Sequence, residues 1–351
     1  MILDERKRKI LQAIIDDYIG TAEPIGSRTV ARKHEMGLSS ATIRNEMADL
    51  EEMGYLEQPH TSSGRIPSDK GYRFYVDQLM KVNELNIDEI ESIRSAMEMR
   101  INELSQIIRQ ASAVLSRFTK YTSMAVTPKM KASIIKSIQA IFMEKGKAMV
   151  IVITNAGVVR NSLVDISDTF QQYELGIISN AINSKIAGLT LEQVNLNAIK
   201  ELEIELEMPS GSLMPIMNAV AECINQIDNP EVYVEGTTNI FNFPEFRDVS
   251  KAKEFISLLD EKTNIRKLLF DTVDRGRITV KIGSENDMTS IKDCSVIISD
   301  YNIANTLVGS IGIIGPTRME YPKVISSIKY IRKLMSEEVS KLLGIDHQKC
   351  D

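Results

Sequence analysis

The sequence is poor in the residues from which most metal sites and catalytic sites are built. It has no tryptophan, and its three cysteines form no CxxC pair. The side chains able to bind a soft metal ion are few and scattered: His34, His60, Cys223, Cys294, His347 and Cys350. We therefore expect neither a zinc site nor a disulfide framework. Because general bases are so few, no Ser/His/Asp or Cys/His constellation is indicated, and we expect a non-enzyme that uses no cofactor.

Long apolar runs are also missing. None approaches the roughly 18 residues that a membrane-spanning helix needs, and a candidate such as residues 148–153 has the length of a β-strand. Charged residues from Asp4 onward leave no room for the apolar segment of a signal peptide. The sequence therefore predicts a cytoplasmic protein with no membrane partner.

A surplus of positive charge is absent as well. The formal net charge is -6, and residues 1–75 hold 11 Lys and Arg against 12 Asp and Glu. This balance argues against a general coat for nucleic acid. If the first 75 residues bind DNA, their charges must be segregated. We expect four cations toward DNA and four carboxylates away from it: Arg44, Arg65, Lys70 and Arg73 against Asp16, Asp17, Glu51 and Glu52.

What the sequence does contain is a short amphipathic helix over residues 39–50. It starts with two serines suited to capping, and three apolar residues at helical spacing share one face: Ile43, Met47 and Leu50. Polar residues on the remaining surface are the first DNA-binding candidates: Ser39, Ser40, Thr42, Arg44 and Asn45. Arginine and asparagine read guanine and adenine edges bidentately, so Arg44 and Asn45 are the predicted base readers.

Another helix precedes this one. Ser27 can cap a helix that continues through residues 30–34, and residues 36–38 supply a tight turn with glycine. Helix, short turn and helix form the helix-turn-helix pattern, whose second helix enters the major groove. Residues 4–20 predict a first helix, whose basic run at residues 6–9 is either a phosphate contact or a solvated face.

Residues 55–67 predict a hairpin directly after the recognition helix, which is the position of a wing. Small hydroxyl residues and a glycine at its tip let backbone amides approach phosphates closely. The wing residues assigned to DNA are His60, Thr61, Ser62, Ser63, Gly64 and Arg65. Two alternatives stay open: His60 is merely solvated, or the helices and hairpin form a small packed subdomain that never touches DNA.

The run SSATIRNEMADLEEMGYLEQPHTSSGRIPSDKGYRFYVDQLM, residues 39–80, resembles the heat-inducible transcription repressor family HrcA, bacterial repressors of chaperone operons. The resemblance implies a winged helix-turn-helix domain that binds double-stranded DNA. It implies a homodimer on the inverted-repeat operator of chaperone operons. It also implies a second partner, the GroEL chaperonin, which keeps the repressor active until unfolded proteins occupy it.

Beyond residue 80 the sequence pattern changes twice. Apolar residues three and four apart predict one long helix or two joined helices over residues 84–118, packed within the chain or along a dimer seam. Residues 134–164 predict an antiparallel meander, residues 170–227 are helical, and strands resume at residue 232. A sheet interrupted by a helical block indicates an insertion into an α+β domain. The glycine-rich run 309–315 lacks the ending of a phosphate-binding loop and predicts a strand.

Residues 234–240, 244–246 and 309–319 also match the pattern of the HrcA family. The resemblance implies an α+β fold in which a GAF-like domain carries an inserted helical dimerisation domain. The expected division is a winged helix-turn-helix domain over 1–80, a linker helix over 81–125, a GAF-like domain over 126–166 and 230–351, and an inserted dimerisation domain over 167–229. Two other functions stay open, a ligand-sensing regulator that uses the GAF-like pocket and a protein-interaction module.

Overall fold

A computed structural model of the chain describes residues 3–60, 63–82, 84–97, 104–128, 133–194, 203–209, 211–270, 277–303 and 307–343. These residues form an α+β fold with one two-stranded, one five-stranded and one three-stranded sheet, as predicted for the fold class. No helix in this part of the chain combines the length and apolarity needed to cross a membrane.

The first part of the fold, which we call the head, comprises the described residues up to 82. Its elements are α1 Glu5–Thr21, α2 Ser27–Lys33, α3 Ser40–Glu52, β1 Leu56–Glu57, β2 Ile66–Pro67, α4 Asp69–Phe74 and a π-helical turn Tyr75–Leu79. Strands β1 and β2 pair antiparallel, and Ile25 forms a further bridge with Arg65. The predicted helices and hairpin are confirmed. The predicted cap of α2 is wrong, because Gly26 occupies the cap and Ser27 is buried as the first helical residue.

The remaining elements follow in chain order. They are α5 Ile87–Met97, α6 Leu104–Thr119, β3 Thr122–Val126, β4 Ile135–Glu144, β5 Lys147–Thr154, β6 Val159–Asp165, α7 Gln172–Ile186, α8 Met214–Asp228, β7 Val232–Glu235, α9 Val249–Asp260, α10 Lys262–Phe270, β8 Ile278–Ile282, β9 Cys294–Ile303, β10 Leu307–Pro316 and α11 Tyr321–Leu343. Within the predicted helical block of residues 170–227, residues 195–202 and 210 lie outside the described residues.

The five-stranded sheet has the order β7-β3-β10-β9-β8, and every neighbouring pair is antiparallel. Helices α6 and α11 pack on one face, and α9 and α10 enclose a separate apolar core on the other. We call this sheet with its helices the five-stranded unit. Because helices cover both faces of this sheet, both faces are buried. This burial matches the apolar character of β3 and β10.

The glycine-rich run 309–315 lies inside β10, which confirms the predicted strand. A Cβ atom on Gly309 would lie 2.3 Å from the Tyr301 ring and 2.7 Å from the Val126 carbonyl oxygen. The glycines therefore let neighbouring strands and side chains approach the backbone closely.

Strands β4, β5 and β6 form the three-stranded sheet, which pairs with no strand of the five-stranded sheet in the described residues. Helix α7 packs along β4, and α8 packs on β5 and β6. The side chains of Ser179 and Asn183 hydrogen-bond the outer backbone groups of Ile138 and Ala140, so α7 covers the edge of β4. We call these strands and helices the three-stranded unit.

The observed sheets differ from the expected division in two places. The meander joins the helical block as one unit, because β3 and β7 pair directly and the chain leaves the five-stranded sheet between them. Helix α6 packs within the chain, which was one of the two expected arrangements, because its apolar stripe is buried against α11 and β3. Strand β3 also lies where only the linker was expected.

Candidate nucleic-acid interface

Helix α3 starts at the predicted position because Ser39 caps it. The Ser39 hydroxyl accepts a hydrogen bond from the Thr42 backbone N–H at 3.1 Å, and the two hydroxyl oxygens are 2.9 Å apart. Ile43, Met47 and Leu50 are buried against the rest of the head. Ser39 and Thr42 therefore fix the first turn of α3, while Ser39 also stays exposed at the surface.

The two predicted base readers lie on the outward face of α3. Arg44 and Asn45 are both exposed. Within the part of the chain that the structure describes, neither side chain forms a hydrogen bond or an ion pair. A ligand at this face therefore meets a guanidinium group and an amide group with all their hydrogen-bonding capacity available.

Helix α3 is also tied to α1 by charge. The Lys7 ammonium nitrogen lies 2.7 Å from a Glu46 carboxylate oxygen and 2.9 Å from an Asp49 oxygen. Arg6 lies 3.3 Å from the other Glu46 oxygen. Hydrogen bonds to Glu46 and Asp49 raise the pKa of Lys7 above its ordinary range. Lys7 is thus neither a phosphate contact nor part of a solvated face, since it is 13% exposed and holds α1 against α3, whereas Arg6 pairs with Glu46 from an exposed position.

The turn between α2 and α3 is held by a buried carboxylate. Asp17 is 4% exposed, and it accepts hydrogen bonds from the Lys33 ammonium and from His34 Nε2, the latter at 3.1 Å. Gly37 takes a left-handed backbone conformation with φ of 65°, as expected of a tight turn. Asp17, one of the four carboxylates expected to point away from DNA, is thus buried between α1 and the end of α2, where Lys33 and His34 pair with it.

The tip of the hairpin is closed by Ser63. Its hydroxyl donates to the His60 carbonyl oxygen at 2.6 Å and accepts from the His60 backbone N–H at 3.0 Å. His60 itself is exposed. The predicted contacts Thr61 and Ser62 lie outside the described residues. At the tip, His60 therefore presents its ring to the surroundings while Ser63 is already engaged.

Gly64 is packed closely against the segment before α2. A Cβ atom at this position would lie 2.4 Å from the Ile25 carbonyl oxygen and 2.8 Å from the Pro24 carbonyl carbon. Ile25 and Arg65 exchange two backbone hydrogen bonds of 2.9 Å beside it. The fold itself therefore requires a glycine at this position, and a contact between Gly64 and DNA stays a prediction.

Three of the four cations expected to face DNA are engaged within the protein. An Arg65 nitrogen lies 2.7 Å from a Glu51 carboxylate oxygen, and its side chain is 19% exposed. Lys70 donates to the Met53 carbonyl oxygen at 2.7 Å, at the end of α3. Arg73 pairs with Glu285 of the five-stranded unit. The predicted segregation of Arg65 from Glu51 is wrong, because the two side chains meet across α3 and β2.

Few arginines in the described part of the head lack a hydrogen-bonding or ion-pair partner. Among the Lys and Arg side chains of the described residues 3–75, three form no hydrogen bond or ion pair: Arg28, Arg32 and Arg44. All three are exposed and lie on α2 or α3, which pack together. Arg28 and Arg32 were missed from the sequence, although their spacing of four residues opposite buried Val30 places them on one outward face.

Residues that could bind a metal ion do not assemble. In the described residues, no group of three or more His, Cys, Asp or Glu side chains could hold one. Cys223 is buried against the three-stranded sheet, and burial raises the pKa of its thiol to about 11. Cys294 is buried as well, which raises the pKa of that thiol above its ordinary range. These thiols behave as small apolar side chains.

Similarity to known proteins extends over nearly the whole chain. A family model for the HrcA protein C terminal domain matches residues 105–325. A heat-inducible transcription repressor HrcA of Acetivibrio thermocellus is 56% identical over 347 residues, and the alignment covers 99% of each chain. The repressor of the same name from Ruminiclostridium cellulolyticum is 58% identical over 345 residues, covering 98% of this chain and 99% of the relative.

A solved structure, a crystal structure of a hypothetical protein at 2.2 Å resolution, has a similar fold. Its TM-score is 0.70 at 23% sequence identity, and the match covers 97% of this chain and 100% of that one. At this identity the likeness concerns the fold alone. The family model and the full-length relatives together show that the chain belongs to the heat-inducible transcription repressor family HrcA.

Proposed function

We propose that this heat-inducible transcription repressor binds double-stranded operator DNA through a winged helix-turn-helix in its head. Helix α2, the turn at Gly37 and α3 form the helix-turn-helix, and the β1–β2 hairpin is the wing. A recognition helix lies in the major groove with its first turns at the base edges. Arg44 and Asn45 lie in those turns, and their free side chains match guanine and adenine edges.

One observation carries this proposal. The described residues of the head hold 13 carboxylates against 12 cations, yet the three arginines among them that form no hydrogen bond or ion pair all lie on α2 and α3. Arg44 faces outward from the recognition helix, while Arg28 and Arg32 project from the helix before it. In a helix-turn-helix the first helix crosses the DNA backbone, so Arg28 and Arg32 are the proposed phosphate contacts. The head therefore needs no overall positive charge to bind DNA, because its unpaired arginines are gathered on α2 and α3.

The test of DNA binding compares two duplexes of equal length and composition. One carries the inverted-repeat operator of the family, and the other carries a scrambled sequence. At about 150 mM salt we expect the operator to be bound about 10³-fold more tightly or better, with affinity that falls as salt rises. Equal affinity for the two duplexes would show that the head is a protein-interaction module or a non-specific binder.

We further propose that the chain acts as a homodimer joined through the three-stranded unit, residues 133–229. One face of its sheet is packed by α7 and α8. The opposite face presents rows of apolar side chains across the three strands: Ile141, Met149 and Leu163 in one row, and Ile153 and Val159 in another. Leu163 is 59% exposed and Val159 is 46% exposed. An open apolar face of this kind marks an association surface.

A single substitution tests the proposed dimer. Leu163→Glu places a charge on the open apolar face, beside Met149 of the central strand, so we expect a monomer in sedimentation at micromolar concentration. Val249→Glu is the matched control, because Val249 is 80% exposed on α9 and lies on a different sheet unit. A dimer that survives Leu163→Glu as well as Val249→Glu would place the seam elsewhere.

Two further assignments rest on family membership. We propose that the five-stranded unit is the GAF-like domain of the family. We also propose that the GroEL chaperonin is a partner that maintains the active repressor, so that unfolded protein relieves repression. The chaperonin test is operator binding after heat treatment, with empty GroEL in one arm and GroEL saturated with unfolded protein in the other. Recovery only with the empty chaperonin is the expected result, and equal recovery would contradict it.

A further inference from the structure

One turn of α4 forms the first of two attachments between the head and the five-stranded unit. Arg73 forms two hydrogen bonds with the Glu285 carboxylate, one of them 2.8 Å long, and it donates a third to the Val280 carbonyl oxygen at 2.6 Å. Strand β8, which contains Val280, is an edge strand. A paired guanidinium therefore satisfies an outward carbonyl of the sheet and a carboxylate at once.

The same turn of α4 carries a second contact. The Asp69 carboxylate accepts a hydrogen bond of 2.8 Å from the Ser284 backbone N–H. Gly283 has φ of 52°, and a Cβ atom there would lie 2.1 to 2.2 Å from the Asp69 carboxylate atoms. The loop is thus shaped around that carboxylate. We call Asp69, Arg73, the Gly283–Glu285 turn and Val280 the clamp.

A third contact lies away from the clamp, at the end of α1. Arg318 donates to the Ile19 carbonyl oxygen at 3.0 Å and is held in place by Glu245. Between the two attachments the buried Tyr72 ring packs on Tyr321, with 6.0 Å between ring centroids. Contacts at two separated points resist rotation of the head, whereas one contact would act as a pivot.

The recognition helix takes no part in this fastening. In the described residues, no hydrogen bond or ion pair joins α3 to the five-stranded unit. The outward face of α3 therefore stays open while the head is docked. The fastening determines only the direction in which that face points.

We propose that Arg73 and Glu285 are positioning residues for operator binding: the clamp sets the orientation of α3 and thereby the distance between the two recognition helices of the dimer. The inference rests on the proposed binding of an inverted repeat by a dimer. A two-fold protein reaches both half-sites together only when its recognition helices have the matching separation. A head that swings freely loses that shared association step without losing any contact to a single half-site.

The test uses the full chain with Arg73→Glu, with Glu285→Arg and with both substitutions. For each protein, affinity is measured for a single half-site, for the operator and for an operator whose spacer is lengthened by about 5 base pairs, or half a turn. We expect each single variant to lose about tenfold or more on the operator and to discriminate less between the two spacers. Half-site affinity should not change, and the exchanged pair should restore the dependence on spacer length.

Asp287→Arg is the matched control, because it makes the same charge change two residues from Glu285. The Asp287 side chain is 84% exposed and pairs with Lys281 of the same unit. If the Glu285→Arg protein keeps the operator affinity and spacer preference of the Asp287→Arg protein, the clamp does not position the head. Tighter operator binding by Glu285→Arg would also overturn the proposal, since the clamp would then restrain the head. Loss of half-site binding by Glu285→Arg, which lies outside the head, would likewise refute it.

These outcomes are distinct from a failure of the proposed function. If the unsubstituted protein fails to distinguish the inverted repeat from scrambled DNA, the operator proposal itself is wrong. If it does distinguish them, the variants decide the role of the clamp alone.

Discussion

The outward face of α3 and the base of the neighbouring hairpin carry similar residue types and use them in opposite ways. Arg44 is exposed and has no partner among the described residues, whereas Arg65 is largely covered and paired with Glu51. Asn45 has no hydrogen-bonding partner in the part of the chain that the structure describes, whereas Gly64 is packed closely against Ile25. A residue of the right type in a DNA-binding motif is therefore available to DNA only where the fold supplies no competing partner.

We expect the greatest loss from a substitution at Gly64, at the base of the hairpin. Gly64→Val forces side-chain atoms into the Ile25 backbone, so we expect a loss of about 3 kcal/mol or more in the free energy of unfolding of the head. The free energy of unfolding is measured by urea denaturation of the full chain. Proteolysis within the head reports the unfolding of that part of the chain. Gly20→Ala is the control, because a Cβ atom there has no neighbour within 4 Å. If Gly64→Val leaves stability unchanged but weakens DNA binding, Gly64 is required for the contact with DNA and not for the fold.

The next prediction concerns Arg44 on the outward face of α3. Arg44→Ala should weaken operator binding by about 1–3 kcal/mol, because a bidentate contact to a base edge is removed. Fluorescence anisotropy with a labelled duplex gives this value. Binding of scrambled DNA should change less. An equal loss on both duplexes would make Arg44 a phosphate contact.

A smaller effect is expected where charge serves packing. Lys7 is 13% exposed and bridges Glu46 and Asp49, so Lys7→Met should lower the stability of the head by about 1–2 kcal/mol. Arg6 remains beside Glu46 and limits the loss. Lys9→Met is the control, because the Lys9–Glu5 pair is exposed and should contribute less to stability than the contacts of Lys7 do. Thermal unfolding of the two variants separates these roles, and equal shifts would contradict the assignment.

The smallest effect sharpens the comparison at the wing. Removing one phosphate contact lowers the salt slope of binding by about one. Since Glu51 already neutralises Arg65, Arg65→Ala should lower the slope by clearly less than that, and Glu51→Gln should tighten binding to all sequences. Titrations at several salt concentrations measure both. A full decrease of about one for Arg65→Ala, with no effect of Glu51→Gln, would show that the ion pair opens on DNA.

Helical parts of the fold were predictable because they depend on local periodicity. The buried stripe of Ile43, Met47 and Leu50 and the capping serine are readable from a dozen residues, and the structure has α3 there. The free state of Arg44 was implied only by its place on the polar face. The engagement of Arg65 was not predictable, because Glu51 is 14 residues away and meets it only after the hairpin folds back.

Pairing between distant segments is what sequence periodicity does not encode. The alternating residues of β4, β5 and β6 predicted three strands, but an alternation of apolar and polar residues is the same whichever sheet a strand joins. The Arg73–Glu285 pair joins residues 212 positions apart, so Arg73 was assigned to DNA instead. In both cases the missing information was the identity of the partner.

We expect the unpaired face of α3, and not the paired base of the hairpin, to read the operator. This is measured most directly by the affinity of Arg44→Ala and Arg65→Ala proteins for a set of half-sites with every single base substitution, at one salt concentration. Arg44→Ala should lose discrimination at one base position per half-site, while Arg65→Ala should keep the full pattern. Loss of discrimination by Arg65→Ala, with an intact pattern for Arg44→Ala, would contradict this expectation.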